Sequence, residues 1–344
     1  MAEAIPGLQV DHDLSHANTL ALPSRAERFW LARCESDVVR GVELANRHDW
    51  GITVLGGGSN VLLPPLVGGL TLRADLAEVS FATGEEGAVH VEVGAGADWH
   101  ALVRRCVERE LWGIENLALI PGLAGAAPIQ NIGAYGVEIA DVLDWVELVD
   151  RRDGRPRRLS REACGLGYRD SVFKRELANQ VVITRLGLIL STRPSPRLDY
   201  GALGERVSDP SSAQAIFEAV CAIRREKLPD PVVTPNAGSF FKNPLVSRAR
   251  ADGLLSEAPT MPHYPQPDGR VKLAAGWLID QCGLRGLRKG AFGVHDRQAL
   301  VLVHFGGGTL AELLSFSEEI VDTVHATFGV VLEREPRSIQ TAVA

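Results

Sequence analysis

The stretch Asn236-Ala237-Gly238-Ser239-Phe240-Phe241-Lys242-Asn243-Pro244 sets one hydroxyl on a backbone of small residues. Two aromatics, a cation and an amide follow it. Ala237 and Gly238 leave the approach to Ser239 open, and glycine adopts backbone angles that other residues resist. A serine hydroxyl titrates far from neutral pH, so it delivers a proton only within an activating network. Taken alone, the stretch reads as a tight turn entering a strand. Its weight comes from Arg224, Lys227 and Pro229-Asp230-Pro231 before it, and from Glu335 and Arg337 near the C-terminus.

Two further stretches of small residues invite a ligand. Gly56-Gly57-Gly58-Ser59-Asn60 follows the apolar run Ile52-Thr53-Val54-Leu55. Successive backbone N–H groups converge on an anion where no Cβ intervenes, and Ser59 and Asn60 add side-chain donors. No Gly-Lys-Ser/Thr follows, so this is not a Walker loop. The glycine spacing is also wrong for a dinucleotide fingerprint, and an ordinary glycine-rich turn remains open. The stretch Ile120 to Gly136 is similarly rich in glycine and alanine, so its backbone must lie against something flat or large. Gln130 and Asn131 offer amides able to read the edge of a heteroaromatic ring. A close-packed helix crossing is the competing explanation. Together the two cradles suggest a dinucleotide with a long footprint.

The elements that position these residues follow from periodicity and breakers. Arg25 to Arg47 is expected as a helix, followed by a strand at Ile52–Leu55, the glycine loop, and a resumed strand Val61–Leu63 ended by Pro64-Pro65. Short strands are expected at Leu70–Leu72 and Val89–Val93, and a helix from Asp98 to Arg109. No strict strand–helix alternation is visible, which indicates an α+β protein. At 344 residues the chain is too long for one ordinary core. A net charge of -7 and a pI near 5.8 argue against a nucleic-acid binder. No apolar run is long enough for a membrane span, and the N-terminus lacks a basic region followed by an apolar core, so a soluble, cytoplasmic protein is expected. Cys34, Cys106, Cys164, Cys221 and Cys282 are scattered without a C-x-x-C pair. They are expected as free thiols rather than a zinc site, and no metal is expected.

The motifs, in this order, resemble the MurB family of UDP-N-acetylenolpyruvoylglucosamine reductases. The match rests on Leu55 to Leu63, Glu115 to Glu138, Gly167-Tyr168-Arg169-Asp170-Ser171-Val172-Phe173-Lys174, Lys227 to Pro231, Asn236 to Pro244, Leu273 to Gly283, His295 to Val303 and Leu332 to Arg337. The resemblance implies a flavoprotein of the vanillyl-alcohol-oxidase/PCMH type. Its two-domain FAD-binding module spans residues 1–77 and 78–229, and a smaller α+β substrate-binding domain spans 230–333. The segment 334–344 would return to the first domain.

It also implies NADPH-dependent reduction of UDP-N-acetylglucosamine enolpyruvate to UDP-N-acetylmuramate through non-covalent FAD, in peptidoglycan precursor synthesis. Gly56 to Asn60 contain no His or Cys for covalent attachment. By carry-over, Gly57, Gly58, Ser59 and Asn60 take the pyrophosphate. Ile120, Pro121, Gln130, Asn131, Gly133, Ala134 and Tyr135 line the flavin, with charge from Arg224 and Arg337. Arg169 and Glu335 would stabilise an aci-carboxylate, where positioned charge lowers a barrier most, and Ser239 would donate the proton. Tyr200, Lys227, Asn243, Tyr264, Lys272 and Gln298 would bind the nucleotide sugar, with Tyr200 on a loop after Pro194-Ser195-Pro196 that closes over it. No nucleic acid, membrane or obligatory protein partner is implied.

The chain departs from the family at two places. Ala126-Ala127 replace common serines, and Glu333-Arg334-Glu335-Pro336-Arg337 shifts the proline, leaving Glu333 as a weaker contender for the catalytic position. Outside the resemblance, Arg169 reads equally as a surface partner of Asp170 or Glu162, Glu335 as a solvated charge, and Tyr200 as a loop aromatic. Two rival functions are an FAD-dependent sugar or alcohol oxidase of the same cofactor class, and a nucleotide-sugar sensor without flavin.

Overall fold

A computed structural model describes residues 5–339. The first unit is a four-stranded sheet. Leu8–Asp13 (β1) pairs antiparallel with Arg25–Ala32 (β2), which is followed by the helix Glu35–Arg47 (α1) and Ile52–Val54 (β3). After the short strand Val61–Leu62 (β4), Leu66–Ala74 (β5) runs parallel between β2 and β3. The expected helix over Arg25–Arg47 is therefore strand in its first eight residues. Residues 25–32 form β2, and the helix begins only after the extended Cys34, which offers no side-chain cap. The parallel core of this sheet also departs from the expected lack of strand–helix alternation, since α1 is its crossover.

The second unit is an antiparallel five-stranded sheet. Val79–Thr83 (β6) and Ala88–Gly94 (β7) lead to the helix Trp99–Val107 (α2), whose N-cap Asp98 accepts from the Ala101 N–H. The strip Ile120–Gly136 lies beyond it and ends in the hairpin Gly133–Ala134 (β8) and Val137–Glu138 (β9). Leu143–Asp150 (β10), Pro156–Ser160 (β11) and Val181–Ser191 (β12) complete the order β11-β10-β12-β7-β6. The one-turn helix Leu203–Arg206 (α3) and the helix Ala213–Lys227 (α4) follow, and α4 packs on α2.

The third unit carries Asn236–Ser239 (β13), Leu245–Val246 (β14), His263–Pro265 (β15), Val271–Leu273 (β16), Arg288–Lys289 (β17), Phe292–Val294 (β18) and Val301–His304 (β19) in two small sheets. The helix Leu310–Phe328 covers them, opened by a Thr309–Glu312 capping box and closed by left-handed Gly329. Leu20, Leu22 and Leu62 from the N-terminal region pack into this unit's core with Phe240, Phe241 and Leu332. The last described strand, Arg337–Ser338 (β20), returns to pair parallel with β4. Residues 340–344 of the expected returning segment lie outside the described residues. Among the described residues, no helix is long and apolar enough to cross a membrane.

Candidate active site

The two cradles of small residues face each other. A Cβ on Gly57 would lie 3.0 Å from the Gly122 Cα. Gly58 has φ +67°, and a Cβ there would fall 1.9 Å from the Ala17 carbonyl oxygen, so only glycine fits. Side chains knit the loops together: Ser59 Oγ donates to the Pro121 carbonyl at 3.1 Å and Asn60 Nδ2 to Gln130 Oε1 at 2.5 Å. Between the cradles opens a cavity of about 460 Å³ lined by Gly57, Gly58, Ser59, Asn60, Ile120, Pro121, Gln130, Gly133, Arg224 and Arg337. A second cavity of about 580 Å³ meets it at Gly56, Ala126 and Arg337 and runs along β3. This scale suits a bound cofactor.

Arg169, Ser239 and Glu335 line the first cavity although they come from three separate parts of the chain. Arg169 sits in the left-handed region at φ +52°, a conformation that costs energy and concentrates at functional sites. Its guanidinium Nε lies 3.3 Å from Glu335 Oε1, and its Nη2 donates to the Gly133 carbonyl at 3.3 Å. Ser239 follows left-handed Gly238 and an irregularity in the β13–β19 register. Such a break re-aims a side chain out of the ladder. Asn236 fixes the turn, accepting from the Gly238 N–H at 2.8 Å.

Glu335 and Glu333 are clearly different. The Glu335 side chain is 11% exposed, and burial pushes its carboxyl up, opposed by the charges of Arg169, Lys174 and Lys242. Glu333 is 73% exposed and pairs with Lys242 at the rim.

Several expected ligands lie elsewhere. Asn131 is buried with φ +46°. Its amide donates to Glu138 Oε2 at 2.6 Å and the Gly167 carbonyl at 3.1 Å, and its oxygen accepts from the Ala140 N–H. Its side chain braces the strip instead of reading a ring. Ala134 and Tyr135 are half-buried in the β8–β9 hairpin and do not line either cavity. Tyr135 meets Tyr200 edge-on with ring centroids 6.0 Å apart.

The residues expected on the substrate side do not line the first cavity either. Lys227 is exposed at the end of α4. Tyr200 is 50% exposed. Lys272 Nζ lies 4.7 Å over the Tyr168 ring and 5.6 Å over that of Tyr264. Asn243 Oδ1 accepts from the Ala275 N–H at 3.0 Å, and Gln298 Oε1 from the Leu300 N–H at 3.4 Å.

Comparison with known proteins decides the family. Residues 230–339 match the sequence family described as UDP-N-acetylenolpyruvoylglucosamine reductase, C-terminal domain, and residues 26–160 match the FAD binding domain family. The UDP-N-acetylenolpyruvoylglucosamine reductase of Pseudomonas aeruginosa is 46% identical over 96% of this chain and 98% of its own length. That of Salmonella choleraesuis is 44% identical over 95% and 96%. The chain belongs to this reductase family. The crystal structure of the Thermus caldophilus enzyme, MurB, covers 97% of this chain and 98% of its own, with a TM-score of 0.66 at 25% identity. The fold is accordingly that of an α+β flavoprotein with the family's C-terminal domain.

The cavity fits FAD on its own terms. Gly57 and Gly122 let the backbones of its two loops approach closely, and Arg224 lines it with a buried Nε that has no hydrogen-bond partner among the described residues. Burial pushes that guanidinium below its ordinary pKa. An unpaired buried cation is costly unless a ligand completes it. Sequence reasoning left two site cations unlisted. Lys174 Nζ donates to the Arg169 carbonyl at 2.8 Å, and Lys242 lines the cavity close to Glu335. Both stand inside the matched motifs, and their charge beside Arg169 and Ser239 was the available signal.

Proposed function

We propose that this flavoenzyme reduces UDP-N-acetylglucosamine enolpyruvate to UDP-N-acetylmuramate with NADPH, in cytoplasmic peptidoglycan precursor synthesis. The observation that carries the reading is that Ser239, Arg169 and Glu335 all line the cavity between the glycine cradles, with Arg169 paired to Glu335. FAD bound there, once reduced by NADPH, would supply the hydride. The protein's part is to hold the enolpyruvyl group, carry the charge that develops on its carboxylate, and deliver a proton to the neighbouring carbon. Arg169 meets that charge as it forms, and Lys174 and Lys242 add to the positive field. Glu335 holds the Arg169 guanidinium in place through its ion pair. Ser239 Oγ gives the proton. The same reading divides the chain near residues 77 and 229 and assigns the outlying set Tyr200, Lys227, Asn243, Tyr264, Lys272 and Gln298 to the nucleotide sugar, which requires the loop bearing Tyr200 to close.

The test separates the two half-reactions. Ser239→Ala should leave flavin reduction by NADPH near normal and slow reoxidation by the enolpyruvyl substrate by roughly 10²–10⁴-fold, the usual reach of general acid catalysis. Stopped-flow absorbance of the flavin under anaerobic conditions reads both steps. Wild-type reoxidation by the alanine variant removes Ser239 from the mechanism.

A further inference from the structure

The hairpin joining β10 to β11 is crowded with arginine, and its charges sort into two sets. Arg152 and Arg157 pair with Asp150, Arg155 with Asp153, and Arg158 with Glu147. Arg151 pairs with no carboxylate among the described residues and turns inward to line the 580 Å³ cavity. Its backbone is clamped on both sides. Its N–H donates to the Gln180 carbonyl at 2.8 Å, and its carbonyl accepts from Asn46 Nδ2 at 2.9 Å.

Arg337 lines the same cavity, and both guanidiniums converge on one residue. Arg151 donates to the Asn179 carbonyl and Arg337 to Asn179 Oδ1. Asn179 holds the left-handed region at φ +59° to receive them. Two guanidiniums face each other with no acid between them. The pKa of Arg151 falls to about 10, chiefly through desolvation and then through the charge of Arg337. Behind the pair, the cavity wall is apolar, with Ile52, Leu55, Phe173, Leu177 and Ile183. Two guanidiniums lining one cavity with apolar side chains are complementary to a nucleoside diphosphate, and this cavity shares Gly56 and Arg337 with the flavin cavity.

We propose that Arg151 is a second phosphate-anchoring cation, acting with Arg337 on the diphosphate of the FAD adenosine half. The assignment rests on the flavoprotein reading above. The bidentate fork of arginine suits phosphate oxygens better than a lysine point charge does.

The test uses flavin-free full-length protein titrated with FAD, followed by quenching of flavin fluorescence. ADP and UDP serve as competing arms, and thermal unfolding of the flavin-free protein is recorded alongside. Arg151→Met should weaken FAD and ADP by about tenfold or more, the loss of one charge-assisted contact. Arg151→Lys should recover part of that loss, and exposed Arg161→Met just after the hairpin should change nothing. UDP affinity should stay constant, and the flavin-free Met variant should melt no lower than wild type, since it loses a repelled cation.

Unchanged FAD affinity in the Met variant overturns this inference alone. A fall in UDP affinity in place of FAD overturns it in favour of the nucleotide sugar. A Met variant that fails to fold or melts lower makes Arg151 a structural residue and also overturns it. Wild-type protein that takes up no FAD overturns the flavoprotein reading as well.

Discussion

At the scale of single residues, the site separates two carboxylates that stand only two positions apart. Glu335 is enclosed beside Arg169, whereas Glu333 reaches solvent with Lys242. Glu335→Gln should therefore impair the enolpyruvyl half-reaction while FAD content stays normal. Glu333→Gln should be nearly silent, since exposed substitutions usually change stability by less than about 0.5 kcal/mol. Single-turnover rates normalised to bound flavin check both, and a damaging Glu333→Gln would exchange their roles. Ser239 was visible in its own small-residue stretch, whereas Arg169 and Glu335 came into view only through the family resemblance, since each alone reads as a surface charge. The sequence could not show where side chains point. Asn131 stands beside Gln130, yet its left-handed backbone sends the amide into the protein. Arg151 was hidden among other arginines whose acid partners only the folded hairpin reveals.

At the scale of elements, the glycine loop is the least tolerant piece. Gly58→Ala combines a forced left-handed residue, roughly 1–3 kcal/mol, with a Cβ driven into the Ala17 carbonyl. It should lower the melting temperature and strip FAD from the purified protein, read by calorimetry and flavin absorbance, whereas exposed Gly253→Ala, which meets no atom within 4 Å and lines neither cavity, should spare both. The β10–β11 hairpin carries a pH dependence. Arg152 and then backbone and charge contacts hold the Asp150 carboxyl at about 2, below its ordinary 3.8. A depressed carboxylate stabilises above its unfolded value, and that stability is lost as pH falls through the folded one. Asp150→Asn should thus cost on the order of 1 kcal/mol at pH 7, given the solvent screening of its half-exposed partners. Urea unfolding should show the difference shrinking from about pH 4 toward pH 2. Elements were legible where caps and breakers marked them, as at Asp98 and Pro64-Pro65. Residues 25–47 misled because Arg25–Ala32 mixes charged and apolar residues in a pattern compatible with either period, and no capping side chain marks the start of α1.

At the scale of the whole molecule, the cavity is shared between cores. Its walls come from the glycine loop, the Ile120–Gly133 strip, β13 and the Glu333–Arg337 stretch. A ligand bound there stabilises every unit it touches. FAD at a hundred times its Kd should add about 2.7 kcal/mol, raising the melting temperature as one transition, while separate melting of the third unit would show that the cofactor does not couple it. The pairing of β20 with β4 has a temporal consequence. Arg337 donates its N–H to the Asn60 carbonyl, so the wall beside the glycine loop is completed by residues translated far later than the loop itself. At about 5–20 residues per second, the nascent first unit waits on the order of tens of seconds on the ribosome with that edge unpaired. The wall beside the glycine loop, and with it the flavin pocket, is therefore completed only late in biosynthesis.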